Sequence, residues 1–254
     1  MTVFVDVVGR GPNLTMLHGW GLNGAVWDGI RESLAEHFTL HIVDLPGHGH
    51  SRGIATTTLT AMTDAVATAI PEHSHLLGWS LGGLVAQDLA RRYAERIDKL
   101  MLVATTPCIL QCDNWPHALL PAVLADFGAR LSDNYAVTIK RFLALQVLNQ
   151  PNARASVTVL QNAVTSRGST DHAALAAGLE ILRTTDLRAH LADVAQPALV
   201  LHGDHDALTP EPVGRWLAST LPNARYVMMP YAAHAPFLSH RDAFLHELDT
   251  FLTA

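Results

Sequence analysis

Ser74-His75-Leu76-Leu77-Gly78-Trp79-Ser80-Leu81-Gly82-Gly83-Leu84-Val85-Ala86 is the stretch that decides the fold. Ser74–Gly78 reads as a short buried strand and Leu81–Tyr93 as a helix. Between them, Gly78-Trp79-Ser80-Leu81-Gly82 matches G-x-S-x-G, the pattern of a serine on a very sharp strand-to-helix turn. Small residues are needed two positions before and after the serine, because larger side chains there would collide. Such a turn lifts the Ser80 hydroxyl from the sheet edge and sets backbone N–H groups of the helix start beside it. Ser80 is therefore the candidate nucleophile.

Working outward, the chain alternates strand and helix patterns. Val3–Val8 is an apolar run closed by the turn signal Gly9-Arg10-Gly11-Pro12, and Asn13–Leu17 follows as a second strand, suggesting a hairpin. Val26, Ile30, Leu34 and Phe38 recur every four residues, which predicts a helix over Ala25–Phe38. Thr39–Leu45 is a buried strand, Leu59–Ile70 a helix, and Leu100–Ala104 another strand. The rhythm stops at Thr106-Pro107-Cys108 and resumes with strand Pro197–His202, helix Glu211–Thr220, strand Ala224–Met229 and helix Asp242–Leu252. This predicts one α/β domain over residues 1–254, with a mostly parallel sheet and helices on both faces. Residues 1–107 and 184–254 form its core, and about 108–183 form an inserted helical lid.

Composition agrees with a large interior. The 254 residues are 49% hydrophobic and 16% charged, against roughly 25% charged in an average globular protein. The net charge of −6 gives no general affinity for nucleic acid or anionic membranes. No apolar run approaches the ~18 residues of a membrane span, and the first residues lack a signal-peptide pattern. Cys108 and Cys112 stand in a C-x-x-x-C spacing with no second pair, so neither a disulfide framework nor a zinc site is expected. The expectation is a cytoplasmic monomer without metal or cofactor.

A serine needs a base to take its proton. Among 15 histidines, His234 is singled out by its place. It lies in Ala232-Ala233-His234-Ala235-Pro236-Phe237, after the last strand, at the edge where open α/β sheets carry their sites. A carboxylate must then hold the histidine's tautomer. Asp204 and Asp206 compete in the loop Gly203-Asp204-His205-Asp206-Ala207-Leu208-Thr209-Pro210. Asp206 lies further into the loop and is favoured, Asp204 suiting a turn cap. The order Ser80, Asp206, His234 is that of one hydrolase architecture. An oxyanion needs two N–H donors. Leu81 offers one, and Trp20 in His18-Gly19-Trp20-Gly21 offers the other; the Trp20 indole would wall an acyl pocket or simply pack in the core. His18 reads as structural.

These residues resemble the α/β-hydrolase superfamily over the whole chain, and Asp44-Leu45-Pro46-Gly47-His48-Gly49-His50-Ser51 looks like its D-x-x-G-x-G-x-S turn. The stretches His18–Asn23, Gly78–Ala86, Arg141-Phe142-Leu143-Ala144-Leu145-Gln146, Gly178–Leu182 and Ala232–Phe237 together resemble the family of biotin-synthesis esterases that remove a methyl cap from a pimeloyl chain on its acyl carrier protein. R-F-L-A-L-Q is the discriminating motif. The resemblance implies substrate contacts at Trp20, Ser80, Leu81, Phe142, Leu143, Ala144, Leu145, Gln146 and His234, and an acidic carrier protein as partner.

The lid sequence carries its own signal. Ser132–Leu148 reads as one helix with Ser132 as N-cap. Tyr135, Ile139, Phe142 and Gln146 share the face that would close over Ser80; Val137, Lys140, Arg141 and Ala144 share the opposite one. Residues 130–167 carry Arg130, Lys140, Arg141, Arg154 and Arg167 against Asp133 alone, a net +4 that leaves −10 on the rest. This asymmetry suggests an acidic partner, with Lys140, Arg141 and Arg154 as docking candidates. Val137 and Thr158 stand where the family has a fuller basic face. The expected activity is serine carboxylester hydrolysis. A broad carboxylesterase, a lactonase or a C–C hydrolase is the enzymatic alternative, and a binding protein on the same scaffold the non-enzymatic one.

Overall fold

A computed structural model describes residues 2–150, 152–168 and 170–254. The elements run β1 (Val5–Gly9), β2 (Asn13–Leu17), α1 (Asp28–Ala35), β3 (Thr39–Val43), α2 (Leu59–Ala67), β4 (Ser74–Trp79), α3 (Leu81–Arg92) and β5 (Ile97–Val103). Four helices follow: α4 (Pro121–Asp133), α5 (Tyr135–Leu145), α6 (Ala153–Ser166) and α7 (His172–Thr184). The chain closes with β6 (Ala198–Gly203), α8 (Glu211–Thr220), β7 (Ala224–Met229), α9 (Pro236–Ser239) and α10 (Arg241–Thr253). No helix among the described residues is long and apolar enough to cross a membrane.

The seven strands are ordered β1-β3-β2-β4-β5-β6-β7, and only β1 is antiparallel to its neighbour. Leu14, Met16, Leu76, Leu77, Leu100, Met101, Leu102, Leu199, Val200 and Leu201 are all fully buried. Such unbroken apolar runs belong to parallel strands covered on both faces. All the parallel strands deliver their carboxyl ends to one edge, where the loops gather.

Two local expectations are corrected. β1 and β2 do not form a hairpin: β2 pairs in parallel with β3 on one side and β4 on the other, so β1 is left to the far edge of β3. Gly9 and Gly11, at φ +93° and +112°, give the connection its turn, and a Cβ on either would collide with the end of the α1–β3 loop. The helix predicted over Ser132–Leu148 is two helices. Asn134, at φ −149° and ψ 81°, breaks it, and its side chain accepts from Val137 N–H at 3.2 Å as the N-cap of α5. Ser132 lies in the last turn of α4, its hydroxyl donating to the Gly128 carbonyl.

Candidate active site

Ser80 sits between β4 and α3 at φ 55° and ψ −117°, a strained conformation for a residue with a Cβ. Its surroundings fix it there. Ser80 N–H donates to the Val103 carbonyl at 3.0 Å, and the Ser80 carbonyl accepts from the Thr105 hydroxyl at 2.7 Å and from Gly83 and Leu84 N–H. The motif glycines are close-approach positions. A Cβ on Gly78 would lie 2.7 Å from the Gly83 Cα, and one on Gly82 would collide with the Leu17 carbonyl.

The three side chains picked out by the sequence meet at the sheet edge. His234 Nε2 lies 2.9 Å from Ser80 Oγ, and His234 Nδ1 lies 2.8 Å from Asp206 Oδ2. Because a carboxylate only accepts, Nδ1 carries the proton and Nε2 is left to accept from the serine. The Trp79 indole N–H donates to the His234 carbonyl at 2.7 Å. Asp206 is held from both oxygens: Oδ1 accepts from Leu208 and Thr209 N–H, and Oδ2 from the Thr209 hydroxyl at 2.6 Å. Burial pushes the Asp206 carboxyl up, but His234, His202 and Thr209 outweigh it and hold its pKa below the ordinary carboxylate value. Asp204, the competing aspartate, is exposed.

The Trp20 loop lies close to Ser80: a Cβ on Gly19 would sit 3.4 Å from Ser80 Cβ. Among the described residues, neither Trp20 N–H nor Leu81 N–H has an acceptor. His18 lies outside the reacting group and braces this loop. It is fully buried, with Nδ1–H on the Gly19 carbonyl and Nε2 accepting from Leu45 N–H at 2.9 Å. Burial, then neighbouring His48, holds its pKa well below the ordinary imidazole value. The Trp20 indole both packs and lines. Its N–H donates to the Leu175 carbonyl at 3.0 Å, and its ring meets Phe127 and Phe142 edge-on at 5.5 and 5.2 Å.

Above Ser80 and His234 lies a cavity of about 220 Å³, walled by Trp20, Phe127, Phe142, Leu145, Leu179 and Leu182 among others. Its polar lining is confined to Ser80, Thr209 and His234. A larger groove of about 560 Å³ beside Arg215 and Tyr226 lies between α8 and β7, away from this chemistry.

The contiguous contact stretch Phe142–Gln146 is narrowed by its helix. Phe142 and Leu145 line the cavity, whereas Leu143 packs into the core, Ala144 is exposed, and Gln146 is buried with its carbonyl accepting from Ala235 N–H. Successive helical residues point 100° apart, so a run of five cannot share one wall. Lys140, Arg141 and Arg154 are exposed and form no ion pair among the described residues, and Val137 and Thr158 are exposed as well. Arg130 pairs with Asp126 at 2.6 Å, and Arg167 bridges Asp6 and Asp44 at 3.0 and 3.2 Å. Two of the five cations counted toward a partner are therefore engaged within the chain. Cys108 is buried and Cys112 exposed, both as free thiols. Among the described residues no cluster of His, Cys, Asp or Glu is placed to hold a metal.

Sequence reasoning missed three contributors. Thr209 clamps Asp206; its three-residue spacing from the aspartate was a usable signal, as in any side-chain-capped turn. Gly178 lets α7 lie against Trp20, since a Cβ there would be 2.7 Å from the indole Cδ1. Phe127 and the α4 wall carried no motif.

Comparison with known proteins fits this geometry. The alpha/beta hydrolase fold family matches residues 12–241. The chain is 42% identical over 248 residues to the pimeloyl-(acyl-carrier protein) methyl ester esterase of Nitrosomonas europaea, covering 98% of each chain. It is 46% identical to the protein of the same name from Pectobacterium atrosepticum, covering 95% of this chain and 94% of that one. Among solved structures, an esterase from Exiguobacterium antarcticum superposes with a TM-score of 0.90 at 22% identity, covering 99% and 96% of the two chains. An enol-lactonase from Burkholderia xenovorans superposes at 0.87 and 24%, with the same coverage. At such identities these structures speak for the fold alone. Sequence identity that runs the length of both chains shows more: this chain belongs to the alpha/beta hydrolase fold family and, within it, to the pimeloyl-(acyl-carrier protein) methyl ester esterases.

Proposed function

We propose that this chain hydrolyses the methyl ester of pimeloyl-acyl carrier protein to the free acid and methanol, as a cytoplasmic monomer in biotin synthesis. The observation that carries the reading is the chain of contacts Ser80 Oγ, His234 and Asp206, at 2.9 and 2.8 Å, under an apolar cavity. Ser80 attacks the ester carbonyl while His234 Nε2 takes its proton. Trp20 and Leu81 N–H groups hold the oxyanion of the tetrahedral intermediate. Asp206 stabilises the imidazolium, which then protonates departing methoxide to methanol. Water, deprotonated by His234, cleaves the acyl-serine and regenerates the enzyme. Phe142 and Leu145 pack against the acyl chain, and residues 108–183 act as the lid that excludes water from it.

The carrier would dock on the outer lid face through Lys140, Arg141 and Arg154. The test compares methanol release from methyl-pimeloyl carrier protein and from a free methyl ester. Wild type should turn over both. Arg141→Glu with Arg154→Glu should lower kcat/KM on the carrier-bound ester several-fold at low salt, through association, and leave the free ester unaffected. Equal treatment of the two substrates by the double variant would remove carrier docking from the reading. No methanol from either substrate with wild type would remove the reading itself.

A further inference from the structure

Behind the acyl cavity lies a second apolar groove of about 440 Å³ between α4 and α7. The two spaces share Leu124 and Leu179 as lining residues. Helical geometry explains this sharing. On α4, Val123 and Phe127 face the cavity while Ala125 and Gly128 face the groove, and Leu124 stands on the boundary. On α7, Leu182 faces the cavity while Ala176 faces the groove, and Leu179 stands on the boundary. Each helix thus places one leucine in the partition between the two spaces.

The groove exists because the facing positions are small. Ala125 and Gly128 on α4 and Ala176 on α7 leave room, and a Cβ added at Gly128 would reach Leu179 Cδ1 only at 4.0 Å. The acyl cavity itself, at about 220 Å³, is smaller than the ~300 Å³ lower bound of a drug-sized ligand site. It suits a short chain. Both partition leucines are half-buried, and the side turned from the cavity faces the groove.

We propose that Leu124 and Leu179 set the acyl-chain length this enzyme accepts, and that the groove behind them is a subsite for the distal methylenes of a longer straight acyl chain. The proposal rests on the esterase reading, since it needs the ester carbonyl at Ser80 to fix where the chain begins. An alkyl chain is the occupant because the side chains that separate the cavity from the groove, Leu124 and Leu179, are both apolar. Of the groove's lining side chains, Ser132, Glu180 and Arg183 are polar, and the last two are paired with each other at 2.6 Å.

The experiment measures kcat/KM for p-nitrophenyl hexanoate and decanoate, below micelle-forming concentrations, and reads the decanoate-to-hexanoate ratio. Each methylene moved from water into an apolar site is worth about fourfold. Leu179→Ala should raise the ratio by about tenfold, and Leu124→Ala, on the more exposed helix, should raise it independently if Leu179→Ala folds poorly. Adding Ala125→Phe to either variant fills the groove and should return the ratio toward wild type. A ratio within about twofold of wild type in both leucine variants, with hexanoate still hydrolysed, overturns the subsite and leaves the esterase reading standing. A raised ratio that survives Ala125→Phe also overturns it, because the chain would then be going elsewhere. No hydrolysis of either ester by wild type overturns both.

Discussion

Beneath the acyl cavity, Ser80, Asp206 and His234 are tied by hydrogen bonds to the backbone around them, and His234 and Asp206 are almost wholly buried. Above it, α4 buries one of its thirteen residues, Leu131, and α5 buries three of eleven. The floor is rigid because proton transfer requires atoms held to within about 0.5 Å. The roof is apolar and loosely seated, which suits the proposed task of covering a chain, since many arrangements of Phe127, Phe142 and Leu145 can do that. On the proposed reading, chemistry sits where packing over-determines position, and selectivity where packing is thin.

The largest expected effect is on the floor. Ser80→Ala or His234→Ala should lower kcat on a short aryl ester by roughly 10⁴–10⁶-fold with thermal unfolding unchanged. Asp206→Asn should also be severe, while Asp204→Asn should be mild. Phe142→Ala in the roof should cost about tenfold, mostly in KM, because it removes wall area and no reacting group. Steady-state kinetics on the five variants would break the comparison if Phe142→Ala matched Ser80→Ala, or if Ser80→Ala stayed within tenfold of wild type.

The roof is not uniform, and a second pair of variants sharpens the contrast. Arg167, at the end of α6, reaches into the floor to bridge Asp6 and the fully buried Asp44. Asp44 also accepts from Gly24 and His50 N–H, next to the Trp20 loop. Removing the guanidinium leaves a buried carboxylate short of a counter-charge. Arg167→Met should therefore destabilise by about 3 kcal/mol, a fall in Tm of about 6–10 °C. Arg130, on the surface of α4, pairs among the described residues with exposed Asp126 alone, and Arg130→Met should leave Tm unchanged. Equal effects of the two substitutions in a melting experiment would mean that the lid is not anchored through α6.

These contrasts also explain what could be read from sequence. The parallel strands were legible because burial on both faces writes unbroken apolar runs, and the strand-to-helix turn at Ser80 because Gly78 and Gly82 approach neighbouring backbone too closely for a Cβ. Asp206 and His234 followed from where strands end. The partner of β1 was not legible, since an edge strand pairs by what the other strands leave free. Arg167 looked like one more surface cation, because its partner Asp44 is 123 residues away in the chain. Gly178 was quoted within a motif but without a role, since its role is the absence of a Cβ against Trp20. The break at Asn134 was missed because apolar spacing continues across it; only the cap reveals it.

The floor carries a cost in acid that the roof does not share. His18, His48 and His202 are fully buried in the floor, and the roof's His117 and His172 are exposed. Burial holds all three floor pKa values below the ordinary imidazole value. For His202, burial pushes it down from 6.5 to about 4, against the opposing pull of Asp206. Neither His202 ring nitrogen makes a close hydrogen bond among the described residues, and the Thr105 backbone only pulls its pKa up against the burial. A folded pKa below the unfolded one means that the unfolded chain binds protons the folded chain refuses. Stability is complete above pH 6.5 and falls as pH drops below it, levelling only near pH 4 where the folded ring also protonates. Between pH 7 and 5 this amounts to about 2 kcal/mol for His202 alone. His202→Leu, similar in size and without a titrating group, should therefore shrink the Tm loss between those pH values by about 5 °C. Parallel Tm–pH curves for the variant and wild type would show that His202 does not set the acid limit of the floor. Its loss of stability in acid would then belong to His18 and His48, whose rings hold the backbone around Trp20.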